Sequence, residues 1–327
     1  MSPRSRFRSA PARATTLAGL ALLVPVVGAA QDANILLPID TLEQRLAYGA
    51  FEVIDARPSR GLPDERTLRA ALSFDDGSML VVKWAPAPSG GEVFNNSPRY
   101  EVGAYQFQKL FLEPHEYVVP PTVVRAFTEV WHTENIREEE PTMWNTKSVV
   151  VVLQYWLFNV TDDDFWSEDR FAADTAYARN FGNFNILTHL IRHNDQNQGN
   201  FLVSTAPDHP RVFSVDNGLA FNTEESDQGA RWRRLVVDRL PAGTIDRLRA
   251  LTEDDLTRQL ATLAQFRIQA DGTLVREAAG PPINADRGIR RDDDVVQMGL
   301  TRREIRGVWD RIRRLVGEVD DGDIQVF

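Results

Sequence analysis

Apolar residues in the first half of the chain follow the short runs and alternation that are typical of β-strands. Residues Ser148–Tyr155, with the sequence SVVVVLQY, are almost continuously apolar, a pattern that predicts a central strand buried on both faces. An Asp-Asp-Gly turn at 75–77 lies between two other runs and predicts a hairpin. The remaining predicted strands are Phe51–Ala56, Thr67–Phe74, Ser78–Trp84 and Thr122–Thr128.

Helical spacing of apolar residues dominates the second half of the chain. The helices predicted there are Asp174–His193, Trp232–Leu240, Thr244–Leu251, Asp254–Phe266 and Thr301–Val316. Two more, Ile39–Tyr48 and Tyr100–Phe111, are predicted in the first half. Residues Thr133–Thr146 are polar and acidic, and we expect an exposed connection there. Strands followed by helices around one cleft predict an α+β fold with two lobes. We place a strand-rich N-lobe at 31–155 and a helical C-lobe at 156–327.

The first 30 residues have the pattern of an export signal. Four arginines and no acidic residue precede an apolar stretch from Leu17 to Val27, and small residues then lead to Gln31. The stretch is short for a membrane-spanning helix, which needs about 20 apolar residues. We therefore expect an exported protein, periplasmic or secreted, with a signal peptide over residues 1–30. An uncleaved anchor is the alternative.

Composition removes several classes of function. The chain has no cysteine, which excludes disulfides, thiolate catalysis and cysteine-based zinc sites. Loss of the four N-terminal arginines would change the net charge from −10 to −14, since 33 of the 37 basic side chains would remain against 47 acidic ones. So anionic a chain is a poor partner for nucleic acid. No later segment is apolar for long enough to cross a membrane.

Three polar residues near two predicted strand ends form the candidate site. Asp195 is followed five residues later by Asn200, and Asp216 begins an Asp-Asn-Gly turn. The short apolar runs Phe201–Ser204 and Arg211–Val215 carry these groups. One carboxylate can take the proton of an acceptor hydroxyl, while an amide oxygen and a second carboxylate can hold Mg²⁺ against phosphates.

Lys83 lies inside an apolar strand, and it is one of only three lysines among 37 basic residues. A chain that otherwise uses arginine and keeps a lysine here indicates a need for a compact ammonium group. Glu101, eighteen residues later at the start of a predicted helix, can pair with that ammonium and fix it where phosphate charge develops. A surface lysine on an edge strand is the alternative interpretation.

Taken in order, these motifs resemble those of the protein-kinase-like superfamily. The run Leu190–Val203 resembles the catalytic loop of its atypical branches, namely the secretory Golgi casein kinase and four-jointed family, the phosphatidylinositol kinases and the HipA-like kinases. The Asp-Asn-Gly turn followed by Leu-Ala-Phe is similar to the secretory and lipid-kinase branches. The resemblance covers roughly residues 50–265.

This resemblance implies a role for each candidate residue. Lys83 and Glu101 would form the N-lobe ion pair, and Asp195 would be the catalytic aspartate. Asn200 and Asp216 would bind Mg²⁺ or Mn²⁺. The hinge that holds the adenine of ATP would run from Gln154 to Phe158, including Tyr155 and Trp156. The expected partners are a nucleotide and an acceptor that is a protein, a sugar or a lipid.

The chain also departs from the kinase pattern. No GxGxxG loop precedes Lys83, and the candidate phosphate loop Arg57–Glu65 contains only Gly61. Gln196-Asn197 stands where many relatives carry a cation. Two other functions therefore stay open: a pseudokinase that acts as a binding module, and a nucleotidyl transferase that passes on AMP.

A zinc site is a further alternative at the same helix end. His189 and His193 lie four residues apart, a spacing that can bind zinc, with Asp195 nearby. No glutamate follows His189, so the His-Glu-x-x-His pattern of metalloproteases is missing. Packed histidines beside the catalytic loop are the simpler interpretation.

Overall fold

A computed structural model describes residues 32–62, 65–93, 96–195, 199–221, 230–231 and 233–327. The predicted signal segment and Gln196-Asn197 lie outside these residues. Residues 32–327 form one compact unit. No helix among the residues described is both long and apolar enough to span a bilayer.

A five-stranded antiparallel sheet forms the N-terminal part of this unit. Its strands, in chain order, are β1 (Phe51–Pro58), β2 (Leu68–Phe74), β3 (Met79–Pro86), β4 (Thr122–Thr128) and β5 (Ser148–Tyr155). They are arranged β1-β2-β3-β5-β4, so the fully buried β5 lies inside the sheet as its apolar sequence predicted. The edge strand β1 has a bulge between Val53 and Asp55.

Three helices accompany the sheet. They are α1 (Ile39–Tyr48), α2 (Pro98–Gln108) and α3 (Glu129–Asn135). The side chain of Thr128 accepts a hydrogen bond from the Trp131 amide and so begins α3. The segment Thr133–Thr146, predicted as an exposed connection, begins in the exposed end of α3, but Thr142, Met143 and Thr146 near its end are buried.

The C-terminal part is mainly helical around a large apolar core. Its helices are α4 (Glu168–Ala173), α5 (Thr175–Leu190), α6 (Ala242–Ala250), α7 (Glu253–Leu260) and α8 (Arg302–Asp320). Helix α5 is the most buried of them, and α8 presents a narrow apolar face with Ile305, Val308, Ile312 and Leu315. A small sheet of β6 (Val160–Thr161), β7 (Phe201–Ser204) and β8 (Val212–Ser214) holds the predicted catalytic segment.

Two predictions for this part were wrong. A second antiparallel sheet, ordered β11-β10-β13-β12, replaces the end of the helix predicted over Asp254–Phe266. Its strands are β10 (Ala264–Ile268), β11 (Leu274–Glu277), β12 (Ile289–Asp292) and β13 (Val295–Met298). The described residues of Trp232–Leu240 are not helical either. They end in β9 (Arg239–Leu240), which pairs in parallel with β14 (Gln325–Val326).

The second sheet also touches the first. Strand β11 lies beside the edge strand β4, where the Arg276 guanidinium donates a hydrogen bond to the Val124 carbonyl. The Lys147 amide, just before β5, donates to the Gly272 carbonyl at 2.8 Å. The antiparallel N-terminal sheet and the helical C-terminal part together make a kinase-like, two-lobed α+β fold.

Candidate nucleotide and metal site

Strand β3 brings Lys83 to the floor of a cleft. In the sheet, Lys83 lies opposite Arg69 on β2 and Gln154 on β5. Its side chain is 13% exposed, and its Nζ lies 2.8 Å from Glu101 Oε1 and 3.2 Å from Asp216 Oδ1. Burial by itself lowers the pKa of Lys83, but the Asp216 and Glu101 carboxylates outweigh it and raise that pKa. The ammonium is therefore charged and fixed between two acids.

Helix α2 carries Glu101 in its first turn. Pro98 at the first helical position suits the helix start, because its fixed φ is already helical. The Glu101 side chain is 6% exposed, and burial raises its pKa. Besides Lys83, its Oε2 accepts a hydrogen bond of 3.0 Å from the Asn217 backbone N–H. Glu101 thus contacts both the lysine and the Asp-Asn-Gly turn.

Asp216 follows β8 and is the exposed member of the trio. Its φ of +61° lies in the left-handed region, which aspartate tolerates better than most residues. The carboxylate is 42% exposed, and the Arg60 guanidinium lies 3.8 Å from its Oδ2. Lys83 above all lowers the pKa of Asp216, to about 2, although burial opposes this. Asp216 is therefore an anion at neutral pH and faces the open cleft.

Asn200 lies next to this trio with its amide buried. The residue is 1% exposed, and neither Oδ1 nor Nδ2 has a hydrogen-bond partner among the residues described. Its backbone carbonyl accepts from the Val215 amide at 2.8 Å, which ties Asn200 to the residue before Asp216. A buried amide without a partner is costly, so this side chain stands out among the described residues near the trio.

These residues line a cleft of about 510 Å³, a volume within the usual range for a small-molecule site. Six of the eight residues that the sequence assigned to the site lie on its wall, and a seventh, Glu101, lies behind Lys83. The six lining residues are Lys83, Gln154, Tyr155, Trp156, Asn200 and Asp216.

Asp195 is the residue that the structure does not bring to the cleft wall. It lies after α5 and is partly exposed, and its backbone N–H donates to His193 Nδ1 at 3.3 Å. Among the described residues, the lining passes from Val160 to Gly199 without including Asp195. Asp195 therefore lies off the cleft wall, and this position gives no support to its predicted role as the base.

His193 is a buried neighbour of the same segment. Burial lowers its pKa to about 4, although the Asp195 and Asp216 carboxylates oppose this. The ring of His189 instead contacts the Arg233 carbonyl through Nδ1 at 2.8 Å. Within the described ranges, no group of three histidine, aspartate or glutamate side chains is placed to bind a metal. The two histidines thus do not form a three-ligand zinc site there.

The loop between β1 and β2 supplies groups that the sequence did not single out. Ser59 Oγ and the Arg60 backbone N–H both donate to the Glu65 carboxylate, at 2.5 and 2.7 Å, and all three residues line the cleft. This loop falls within Arg57–Glu65, the predicted phosphate loop with only one glycine. The sequence signal for these groups was the pair Ser59-Arg60 directly after a predicted strand. The direction in which the two side chains point depends on the fold of the loop.

The comparisons with known proteins agree with this architecture. A solved structure of hydra Fam20 with sugar matches the chain with a TM-score of 0.50 and 13% sequence identity, over 88% of this chain and 90% of that one. No protein-family model and no curated protein matches the sequence. At so low an identity the likeness shows a kinase-like fold, and it leaves activity and substrate open.

Proposed function

We propose that this protein is an exported phosphotransferase that uses ATP and Mg²⁺ or Mn²⁺ to phosphorylate a hydroxyl group. One observation carries the proposal: Lys83 Nζ bridges Glu101 and Asp216, at 2.8 and 3.2 Å, on the wall of a cleft that also contains the unpaired Asn200 amide. A buried ammonium beside a carboxylate that can bind a metal ion would orient a nucleoside triphosphate and stabilise its charge.

The donor groups of the cleft fit a hard divalent cation. Asp216 supplies an anionic oxygen, and Asn200 supplies an amide oxygen that has no partner in the part of the chain that the structure describes. Mg²⁺ and Mn²⁺ favour such oxygen ligands, and Mg²⁺ usually keeps several waters and phosphate oxygens in addition. When bound, the cation would neutralise the charge on the phosphates. Asn200 and Asp216 would hold it.

The base of the nucleotide would lie against the end of β5. The backbone amides of Tyr155 and Trp156 already donate to Pro121 and Val81, at 2.8 and 2.9 Å, and the Phe158 amide donates to Asn34. Within the described part of the chain this leaves the Leu157 amide as the hinge donor for a ring nitrogen. We assign the adenine contact to Leu157 in place of a general hinge over Gln154 to Phe158.

The triphosphate would lie between Lys83 and the β1–β2 loop. Arg60 already contacts an anion, the Asp216 carboxylate, across the mouth of the cleft. An arginine can replace part of the phosphate contact that a glycine-rich loop makes through backbone N–H groups. This would compensate for the single glycine in the loop.

Transfer would proceed by attack of the acceptor hydroxyl oxygen on the γ-phosphorus. The hydroxyl proton would go to the Asp195 carboxylate, the bond from the γ-phosphorus to the β–γ bridging oxygen would break, and ADP would leave. Because Asp195 is not on the cleft wall, this role requires that the acceptor reach the nucleotide from the side on which Asp195 lies. The second candidate function is a nucleotide-binding module without transfer activity. It is favoured by one observation, that Asp195 is not on the cleft wall.

Thermal melting with ATP alone and with ATP plus Mg²⁺ tests the nucleotide site. Ligand at 100 times its dissociation constant should stabilise the protein by about 2.7 kcal/mol. We expect a metal-dependent shift that Asp216→Ala loses and that the exposed variant Asp246→Ala keeps. No shift with any nucleotide would refute the proposed site.

Product analysis separates the three activities once binding is established. The protein is incubated with ATP and Mg²⁺, and ³¹P NMR identifies the products. ADP is expected if the protein transfers the γ-phosphoryl group, because water can act as a slow acceptor. Pyrophosphate would instead identify a nucleotidyl transferase. ATP that stays intact while the melting shift persists would identify a binding module.

A further inference from the structure

Helix α2, which carries Glu101, is buried almost all round. Ten of its eleven residues are buried. Its apolar residues Val102, Tyr105 and Phe107 belong to the core cluster, and the helix packs against α7 of the C-terminal part as well as against strands β4 and β5 of the sheet. A helix held on both sides presents Glu101 in one rotational setting, provided that its ends are fixed too.

The N-terminal end of α2 is attached to the N-terminal end of α8 through a single carboxylate. Glu304 Oε2 accepts from Arg99 Nη1 at 2.6 Å, and Glu304 Oε1 accepts from the Tyr100 hydroxyl at 2.5 Å. Arg99 and Tyr100 directly precede Glu101 in the helix. Both oxygens of Glu304 are therefore used to hold the turn from which Glu101 projects.

Glu304 is itself fixed by the first turn of α8. It is the third residue of the helix and closes a capping box, in which the Thr301 backbone N–H donates to Glu304 and the Thr301 hydroxyl accepts from the Glu304 N–H. The Glu304 side chain is 11% exposed, and that of Arg99 is 7% exposed. A buried charge-assisted contact of this kind is directional and strong compared with a surface pair.

The surroundings of Arg99 are fitted to this contact. Glu92 also contacts Arg99, at Nε, and the guanidinium lies over the Tyr100 ring. A Cβ at Gly288 would overlap the Arg99 guanidinium, so only glycine leaves the required space. The attachment is thus built from four separate segments of the chain.

We propose that Glu304 is a positioning residue for the nucleotide site, which through Arg99 and Tyr100 keeps Glu101 facing Lys83 whether or not nucleotide is bound. The consequence for binding rests on the proposed function; the effect on Lys83 does not. The helix of the ion pair is then fixed permanently by α8, and the lysine needs no separate activating event.

The three lysines allow a direct test without nucleotide. NMR of protein labelled at the lysine side chains gives signals from Lys83, Lys109 and Lys147 alone, and Lys83→Arg identifies the first. Glu304→Ala should move the Lys83 signal, because Glu101 turns away from it, and should leave the Lys147 signal in place. Asp255→Ala is the matched control, since it removes the corresponding capping-box carboxylate of α7 and should not move Lys83.

Binding supplies a second measurement. Glu304→Ala should weaken Mg²⁺–ATP at least about tenfold and leave adenosine within about twofold, because the phosphates and not the base meet Lys83. Glu304→Gln keeps one of the two acceptor oxygens and removes the negative charge that Arg99 meets, so it should restore only part of the affinity. An equal loss for both ligands would mean a purely structural role and would refute the proposal.

The outcomes separate this inference from the proposed function. A Lys83 signal that stays unchanged in folded Glu304→Ala refutes the positioning role even if Mg²⁺–ATP binds to the wild type. A Lys83 signal that moves supports the role even if the wild type binds no nucleotide, a result that would refute only the proposed function. If Glu304→Ala does not fold, Tyr100→Phe decides, because it removes one of the two contacts and should shift the same signal.

Discussion

Glu101 Oε2 accepts a hydrogen bond from the Asn217 backbone N–H at 3.0 Å, while its Oε1 binds Lys83. One buried carboxylate therefore fixes both the ammonium and the turn that carries Asp216. The two groups that would act on phosphate and metal cannot be displaced independently. Changes at this residue should consequently affect stability and binding together.

A double-mutant cycle on Lys83 and Glu101 should show strong coupling. Lys83→Met leaves the Glu101 carboxylate buried without its cation and should cost about 3–5 kcal/mol of unfolding free energy. Adding Glu101→Leu removes that unpaired charge, so the double variant should lose less than the sum of the two single losses, by more than about 1 kcal/mol. Urea unfolding measures all four proteins. Additive losses would contradict a buried pair.

Asn200→Leu should stabilise the metal-free protein. The wild-type amide is buried, and neither of its polar atoms has a partner among the described residues, so an apolar side chain of similar shape removes a desolvation cost of about 1–3 kcal/mol. The same variant should lose the Mg²⁺-dependent part of the nucleotide-induced melting shift. Calorimetry without and with Mg²⁺–ATP checks both effects. A lower melting temperature in the metal-free variant would mean that the amide has partners in solution.

Arg60→Gln should discriminate between ligands by their phosphates. We expect about tenfold weaker binding of ATP and an unchanged affinity for adenosine, because the guanidinium faces Asp216 and not the end of β5. Titration calorimetry with ATP, ADP and adenosine measures the difference. Arg258→Gln is the control, because Arg258 is 70% exposed on α7 and pairs with Asp255, away from the cleft. Equal losses in both variants would speak against a phosphate contact by Arg60.

His132 should make the protein less stable in mild acid. Its Nε2 accepts from Trp84 Nε1 at 3.2 Å and its Nδ1 lies 2.8 Å from the Arg137 carbonyl, a pattern that fits the neutral ring. Burial lowers the pKa of His132 below its ordinary 6.5. The unfolded chain therefore binds the proton more readily, and stability falls as pH decreases from 6.5 towards the folded-state pKa.

The measurement is urea unfolding at about pH 7 and about pH 5. His132→Gln should lose less stability between the two than the wild type, whereas the exposed His115→Gln should follow the wild type. Identical pH dependence in all three proteins would mean that His132 has the same pKa in the folded and unfolded states, which would contradict the prediction.

Two glycine substitutions should have opposite signs. A Cβ at Gly182, in α5, would lie 2.7 Å from the Pro241 ring, so Gly182→Ala should destabilise despite the better helix propensity of alanine. At Gly317, in α8, a Cβ meets nothing within 4 Å, and Gly317→Ala should stabilise by about 0.5–1 kcal/mol. Thermal melting compares the pair. A stabilised Gly182→Ala would show that α5 and Pro241 separate easily.

The sequence predicted the elements whose apolar pattern is strong and local. Thr122–Thr128 and Ser148–Tyr155 have the predicted bounds, and so does α1. The helix predicted over Asp254–Phe266 fails after Leu260, because Ala264–Ile268 pair with Leu274–Glu277 on one side and with Val295–Met298 on the other. Both partners are short and contribute little local signal. Pairing on both sides overrides the helical spacing.

The same distinction applies to the candidate site. The spacing of Lys83, Asn200 and Asp216 was enough to place them together, because each stands at a fixed position on a strand or directly beside one. The Asn217 N–H and the Arg60 guanidinium were not predictable, since their directions depend on turn conformations such as the positive φ of Asp216. Asp195, which follows α5, is not among the residues of the cleft wall, whereas Glu101 contacts that wall through Lys83.

The contact of Arg276 with Val124 has a consequence for the sheet as a whole. A strand from another molecule could extend a β-sheet by pairing with the free carbonyls and amides of an edge strand. At β4 such a strand would first have to displace Arg276 and β11, and at β1 it would meet the bulge between Val53 and Asp55. The C-terminal sheet thus covers an edge strand of the N-terminal sheet. This cover opposes strand exchange between copies of the chain and the fibrous aggregation that can follow from it.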